Sequence, residues 1–179
     1  MDTIKFEKKL IINPLATDSE VYLRKLSVYD DKAIFALRSN PEVNRYVTRK
    51  SCKTIEEAGN FIQTVLSIEE NKLFYWVIIL KERDQLIGTI CLANVSIETS
   101  TAEIGYELLP AFQNKGFMQA CISTVIEFGF KQLNLKMIEA NTDDANIKSV
   151  HLLKKYGFVK DAHPSNSESK KYSRYVKFR

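Results

Sequence analysis

Hydrophobic and polar positions follow two different periods along this chain, and the switches between them divide it into elements. Val21 to Leu26 alternates as a strand. Ser27, with Asp30 three residues on, resembles a capping box that opens a helix through Ala33-Ile34-Phe35-Ala36-Leu37, which the turn Ser39-Asn40-Pro41 stops. Thr54 and Glu57 repeat the capping pattern. Ala58, Phe61, Ile62, Val65 and Leu66 then recur at helical spacing, so this second helix has one buried face. The β-rich run Leu73 to Leu80 ends at the polar turn Lys81 to Gln85, and Leu86 to Val95 follows as its hairpin partner. Past Glu98-Thr99-Ser100-Thr101, the segment Ala102 to Leu108 sets Ile104, Tyr106 and Leu108 on one face and Glu103, Gly105 and Glu107 on the other. These three segments predict an antiparallel meander.

From Gly116 to about Leu133 hydrophobic residues cover most of the circumference, leaving Gln119, Ser123, Glu127 and Lys131 as a single solvated stripe. Such a helix packs against a sheet. Met137 to Thr142 is the next strand, parallel to the one before because a whole helix joins them. Asn146 to Tyr156 is a further helix closed by Gly157, and strands at Phe158 to Asp161 and Tyr172 to Phe178 follow. The predicted order is strand, two helices, three strands, helix, strand, helix, two strands. Residues 1–20 are expected to form an N-terminal extension with room for one short strand, ahead of a single domain over 21–179.

The junction P-A-F-Q-N-K-G-F-M-Q-A, Pro110 to Ala120, lies between a strand end and a helix start. Backbone N-H groups left unpaired at a helix start point the same way and are backed by the helix dipole, which suits an anion. Gly116 permits close approach of the main chain, and Gln113, Asn114 and Lys115 add side-chain donors. A glycine in a polar turn beside a helix is also ordinary punctuation. The three-glycine dinucleotide fingerprint and the Gly-Lys-Ser/Thr phosphate loop are both absent.

Composition narrows the class. The 179 residues suit one domain, and 45% hydrophobic with 27% charged residues is the balance of a soluble globular chain. Lys and Arg outnumber Asp and Glu by 26 to 22 without forming a basic block, so nucleic acid binding is not indicated. The longest apolar run, Leu73 to Leu80, is eight residues and the beginning of the chain has no signal-like segment, so neither membrane nor secretion is expected. Cys52, Cys91 and Cys121 are widely separated, and His151 and His163 are isolated. The expectation is reduced thiols, no metal and a cytoplasmic setting.

In combination, A-E-I-G-Y-E-L-L-P, Q-N-K-G-F-M and N-I-K-S-V-H-L-L-K-K-Y-G-F resemble the GNAT superfamily of acyl-CoA-dependent N-acetyltransferases. L-R-K-L, S-N-P-E-V-N-R-Y-V and L-I-G-T-I-C-L are similar to its RimJ/RimL-like branch, which includes enzymes acting on ribosomal-protein α-amino groups. The resemblance implies a mixed α/β fold: a mostly antiparallel sheet, one parallel pair splayed at the cofactor site, and helices on both faces. It implies acetyl-CoA as cosubstrate, its pyrophosphate held over Gln113, Asn114, Lys115, Gly116, Phe117 and Met118. Met118 departs from the small residue usual at the last place, where the contact uses the N-H. The preceding strand is expected to carry a bulge, with the Leu108 and Leu109 main chain lining the pantetheine arm and one N-H there donating to the thioester oxygen. Asn146 matches a family asparagine near that arm, and a plain helix cap explains it equally well.

Acetyl transfer needs a neutral amine. Glu103 is the favoured base, acting through water, against the alternative of a solvated strand carboxylate. Many superfamily members carry a proton-donating Tyr where Leu153 stands. The resemblance makes Ser149 the candidate donor to the leaving thiolate, and a serine bonded to its own helix is the competing explanation. Tyr156 packs or stacks on CoA. Cys121, on the apolar side of its helix without a paired histidine, reads as core. The acceptor is expected past the first two helices, near Tyr46 and Glu107 with Asn44 and Arg45, while Phe74 and Trp76 lie close by and Trp76 reads more strongly as core. The amine is a protein N-terminus on this reading; a small amine such as a polyamine or antibiotic, or a non-catalytic acyl-CoA-binding role, are the alternatives. C-terminal strands leave an edge through which a homodimer could form.

Overall fold

The computed structural model describes residues 15–16, 20–69, 71–162 and 172–179. His163, the polar loop around it and most of the expected N-terminal extension lie outside the described residues.

The first two helices follow from their caps. Ser27 Oγ accepts from Tyr29 N, the Asp30 carboxylate accepts from Ser27 N at 2.8 Å, and Arg24 grips Asp30 with two bonds of 2.8 and 2.7 Å. A short 3-10 turn over Val28–Asp30 therefore leads into α1, Asp31–Ser39. Asn40 ends α1 and at once caps a one-turn helix, α2, Pro41–Asn44, its Oδ1 accepting from Glu42 N and Val43 N. The sequence pattern anticipated only the stop. Thr54 caps α3, Ile55–Ser67, but Glu57 reaches back to Lys53 N, one residue before the cap.

Eight strands among the described residues form one sheet. They are β1 (Leu15–Ala16), β2 (Val21–Lys25), β3 (Phe74–Leu80), β4 (Gln85–Ser96), β5 (Thr101–Leu108), β6 (Met137–Asp143), β7 (Val159–Lys160) and β8 (Tyr172–Phe178). Their order is β1-β2-β3-β4-β5-β6-β8-β7, antiparallel throughout except for β5 and β6. Two further helices, α4 (Phe117–Lys131) and α5 (Ile147–Lys155), complete the fold. Ile78, Ile90, Leu92, Ile104 and Ile138 pack with Cys121, Ile122, Val125 and Leu153 on the α4 and α5 face, whereas Val77, Ile79 and Leu86 pack with Ile34 and Ile62 of α1 and α3 on the other. Phe74 and Trp76 are buried against Phe128, so both are core residues.

The parallel pair is short. Only Thr101, Ala102 and Glu103 are in register with Met137, Ile138 and Glu139. Beyond them β5 stays paired with β4, β6 stays paired with β8 along its whole length, and the twist of the two half-sheets carries them apart. The expected bulge on β5 is not there, and this corrects the sequence reading. The irregularities belong to β4, where Ile87 is extra against β3 and one residue between Ala93 and Ser96 is extra against β5. Gly88 is required next to the first of these, because a Cβ there would lie 2.4 Å from the Glu107 carbonyl oxygen.

Candidate functional site

The divergence of β5 and β6 opens a cavity of about 770 Å³ that passes through the sheet. Backbone register decides which groups face it. Leu109 N-H donates to Ile87 O, so in the antiparallel ladder the odd residues of β5 bond to β4, and Ile104, Tyr106 and Leu108 aim their N-H and C=O groups at the gap. Of the two leucines expected to supply main-chain donors, Leu109 is therefore committed to β4 and Leu108 faces the opening. Leu108 O takes a bond of 3.0 Å from Gln113 Nε2, which ties the turn to the strand end.

At the head of α4 the chain turns through Asn114 and Gly116, both with positive φ, 62° and 83°. Gly116 occupies the cap position, and no side chain caps the helix. A Cβ at Gly116 would meet nothing within 4 Å, so the space in front of the turn is open. Asn114, Lys115 and Gly116 are exposed, Met118 is half-buried, and the Phe117 side chain is buried in the core while its N-H belongs to the first helical turn. Lys148 Nζ bonds Gln113 Oε1 at 2.9 Å, bringing a cation from α5 to the same mouth. Tyr156 OH donates to Gln119 O at 2.8 Å, clasping the end of α5 to the first turn of α4.

Asn146 caps α5, its Oδ1 accepting from Ser149 N at 3.2 Å. Ser149 Oγ does not bond to its own helix; it pairs with Tyr106 OH at 2.9 Å across the gap. Both residues line the cavity with Asn146, Ile104 and Leu153. Burial pushes the Tyr106 phenol up to about 12, and likewise the Cys121 thiol, so neither ionises at neutral pH.

The opposite mouth gathers polar groups from many elements. Glu103, at the last paired position of the parallel ladder, accepts from Asn141 Nδ2 at 3.0 Å and Asn94 Nδ2 at 3.1 Å. Asn141 Oδ1 is buried without a hydrogen-bond partner among the described residues. Glu139 pairs with Arg174 of β8, which also holds Asp161. Tyr46 lines the wall and is fixed through its carbonyl by Tyr172 OH at 2.9 Å. Glu107, expected to meet the acceptor, is only 10% exposed and stands behind the wall, paired with Arg49 and with Arg38 at 3.7 Å. Asn44 Nδ2 donates to the Arg38 and Asn40 carbonyls, while its Oδ1 is buried without a hydrogen-bond partner among the described residues.

Residues 20–159 match the acetyltransferase (GNAT) domain family. The chain belongs to the GNAT acetyltransferase family. It is 36% identical to an uncharacterized N-acetyltransferase, YoaA, of Bacillus subtilis over 83% of this chain and 84% of that protein. Among solved structures it resembles the spermidine N-acetyltransferase of Vibrio cholerae in complex with CoA and spermine (TM-score 0.77, 23% identity, 90% and 96% of the two chains). It also resembles the ribosomal-protein-S5-alanine acetyltransferase of Vibrio fischeri (TM-score 0.75, 23% identity, 89% and 93%). These two likenesses carry the fold.

As a GNAT enzyme the chain is an acetyl-CoA-dependent N-acetyltransferase, with acetyl-CoA supplying an activated thioester. The residues present fit that cosubstrate: uncapped N-H groups at the α4 start, open space at Gly116, two lysines at the mouth, and a gap edged by strand donors. Among the described residues no group of three His, Cys, Asp or Glu side chains is placed to hold a metal ion, and no helix is long and apolar enough to cross a membrane.

Tyr106, Asn94, Asn141, Glu139, Arg49, Arg174 and Tyr172 were not singled out from the sequence. Alternation put Tyr106 on the core face, which is correct, but at the gap that face meets α5 and the phenol reaches Ser149. Arg174 and Tyr172 arrive because β8 inserts between β6 and β7, a placement with no local signal.

Proposed function

We propose that this GNAT enzyme acetylates a primary α-amine, at the N-terminus of a protein or peptide, in the manner of the RimJ/RimL-like branch. The observation that carries the reading is Glu103, a cavity-wall carboxylate held by two neutral amides at the point where β5 and β6 part. An α-amine with a pKa near ~8 is mostly protonated at neutral pH and has no lone pair to attack with. Glu103, held by Asn141 and Asn94, takes that proton through a water. Main-chain donors of Tyr106 and Leu108, directed into the gap, stabilise charge developing on the acyl oxygen. Ser149, supported by Tyr106 OH, donates to the departing sulfur. Gln113 to Met118 at the α4 head, with Asn146 and Tyr156 on α5, hold the diphosphate and pantetheine; Leu109 positions the strand end.

Charge balance favours a single amine over a polyamine. A polyamine needs several unneutralised carboxylates, whereas Glu107 faces two arginines and Glu139 faces Arg174. Free cysteines at 52, 91 and 121 suit the reducing cytosol. Mass spectrometry of a peptide and small-amine panel incubated with protein and acetyl-CoA tests the proposal. Nα-acetylated peptides are expected. Acetylation of spermidine or spermine alone, or CoA binding with no amine acetylated, would overturn it in favour of a polyamine enzyme or an acyl-CoA-binding regulator.

A further inference from the structure

We infer that the acceptor carries a carboxylate at its second or third residue, and that Arg49 reads it; this rests on the acceptor being a peptide α-amine. The starting point is a charge imbalance behind the cavity wall. Glu107 is met by two guanidiniums, Arg49 and Arg38, and the three side chains are 10%, 24% and 16% exposed respectively. Two cations on one anion leave a net positive charge in a largely desolvated place, which is costly unless something else answers it. The remaining neighbours of Glu107 are neutral. Thr89 Oγ1 donates to it at 3.3 Å, and Tyr75 OH, bonded to Thr89, is kept protonated by burial.

The two arginines are not equivalent. Arg38 lies over the Phe61 ring at 3.7 Å, where the π face offsets part of its charge, and it does not line the cavity. Arg49 lines the cavity beside Tyr46, Val47 and Thr48, and its Nε is buried without a hydrogen-bond partner among the described residues. The surplus charge therefore presents itself to the acceptor through Arg49.

Geometry then sets the class of acceptor. Glu103 and Glu107 are four residues apart on β5, ~13 Å along the strand, so the wall is negative at the amine end and positive at the Arg49 end. An extended peptide advances ~3.3 Å per residue. With its amine at Glu103, a side chain two or three residues in comes within reach of a guanidinium held at Glu107. An N-terminus followed by Asp or Glu matches both ends of the wall.

The test compares kcat/KM for N-terminal peptides that differ only in Asp or Asn at the second and third positions, on the wild type and on Arg49→Gln. The wild type should prefer the Asp peptide by ~10-fold or more, the value of a charge-assisted hydrogen bond, and the Arg49→Gln ratio should fall to about 1. Equal rates on Asp and Asn peptides in the wild type overturn the inference and leave the α-amine proposal standing. A variant that slows both peptides but keeps their ratio also overturns it, since Arg49 would then be structural only. If no peptide is acetylated, the α-amine proposal falls and takes the inference with it. The wild-type comparison decides the question even if the variant does not fold.

Discussion

At the α4 head, one mouth of the gap, the groups come from residues 108–119 and the neighbouring face of α5; at the other mouth the cavity wall is made by β4, β5, β6, β8 and the loop after α2. The first mouth is a strand end, a turn and a helix start in succession, built mainly of backbone. The second is assembled from side chains that only the fold brings together, as Glu103 with Asn94 and Asn141, or Glu139 with Arg174. A backbone grip tolerates side-chain change, because its donors are main-chain N-H groups. A side-chain wall can be rewritten one residue at a time, so acceptor choice is free to diverge while the donor site stays fixed.

The sharpest separation of the two mouths is Glu103→Gln. It keeps the size of the side chain and removes the proposed base, so kcat should fall by ~10²-fold or more with acetyl-CoA affinity unchanged. Stopped-flow turnover and calorimetric binding check the two halves, and a parallel loss of affinity would mean that the mouths are not independent. Gly116→Val does the reverse. The residue sits at φ 83° with open space in front, so the β-branched side chain strains the turn by ~1–2 kcal/mol and intrudes on the proposed anion position. Acetyl-CoA should bind about tenfold more weakly, with saturated turnover largely preserved, as steady-state kinetics over a wide acetyl-CoA range will show.

A smaller, global effect comes from pH. Tyr106, Cys91 and Cys121 have folded-state values pushed up to about 12 by burial, above their ordinary 10.0, 9.0 and 9.0. Raised values mean that the folded state holds these protons more tightly. Their stabilising contribution is full below about pH 9 and is lost as pH climbs toward 12. Urea midpoints should be flat with respect to these groups up to pH 9 and fall above it. Smallest of all, Cys121→Ala should leave turnover within ~2-fold, because the thiol is fully buried and un-ionised; abolished activity would indicate a covalent acetyl-enzyme.

Legibility followed the same division. The meander, the α4 amphipathicity and the Gly116 turn were readable because each is written in adjacent residues: alternation over 102–108, one polar stripe, one glycine between strand and helix. What the sequence could not supply was register. Whether Leu108 or Leu109 faces the gap depends on which residues of β5 bond to β4, and that is set by Leu109 meeting Ile87 twenty-two residues away. Glu107 looked as available as Glu103 because both lie on one strand face. Only the packing of α1 and the loop after α2 places two arginines on the former and leaves the latter to two asparagines. Nor could the sequence supply the partner of the Ser149 hydroxyl, Tyr106 OH across the gap.

Hydrogen exchange measured by mass spectrometry with and without CoA tests the central claim, that backbone amides at the α4 head and along the open edge of β5 hold the cosubstrate. Exchange should slow at residues 114–119 and 104–108 on adding CoA and stay unchanged across α1 and α3. Protection confined to other segments, with 114–119 unaltered, would contradict the account.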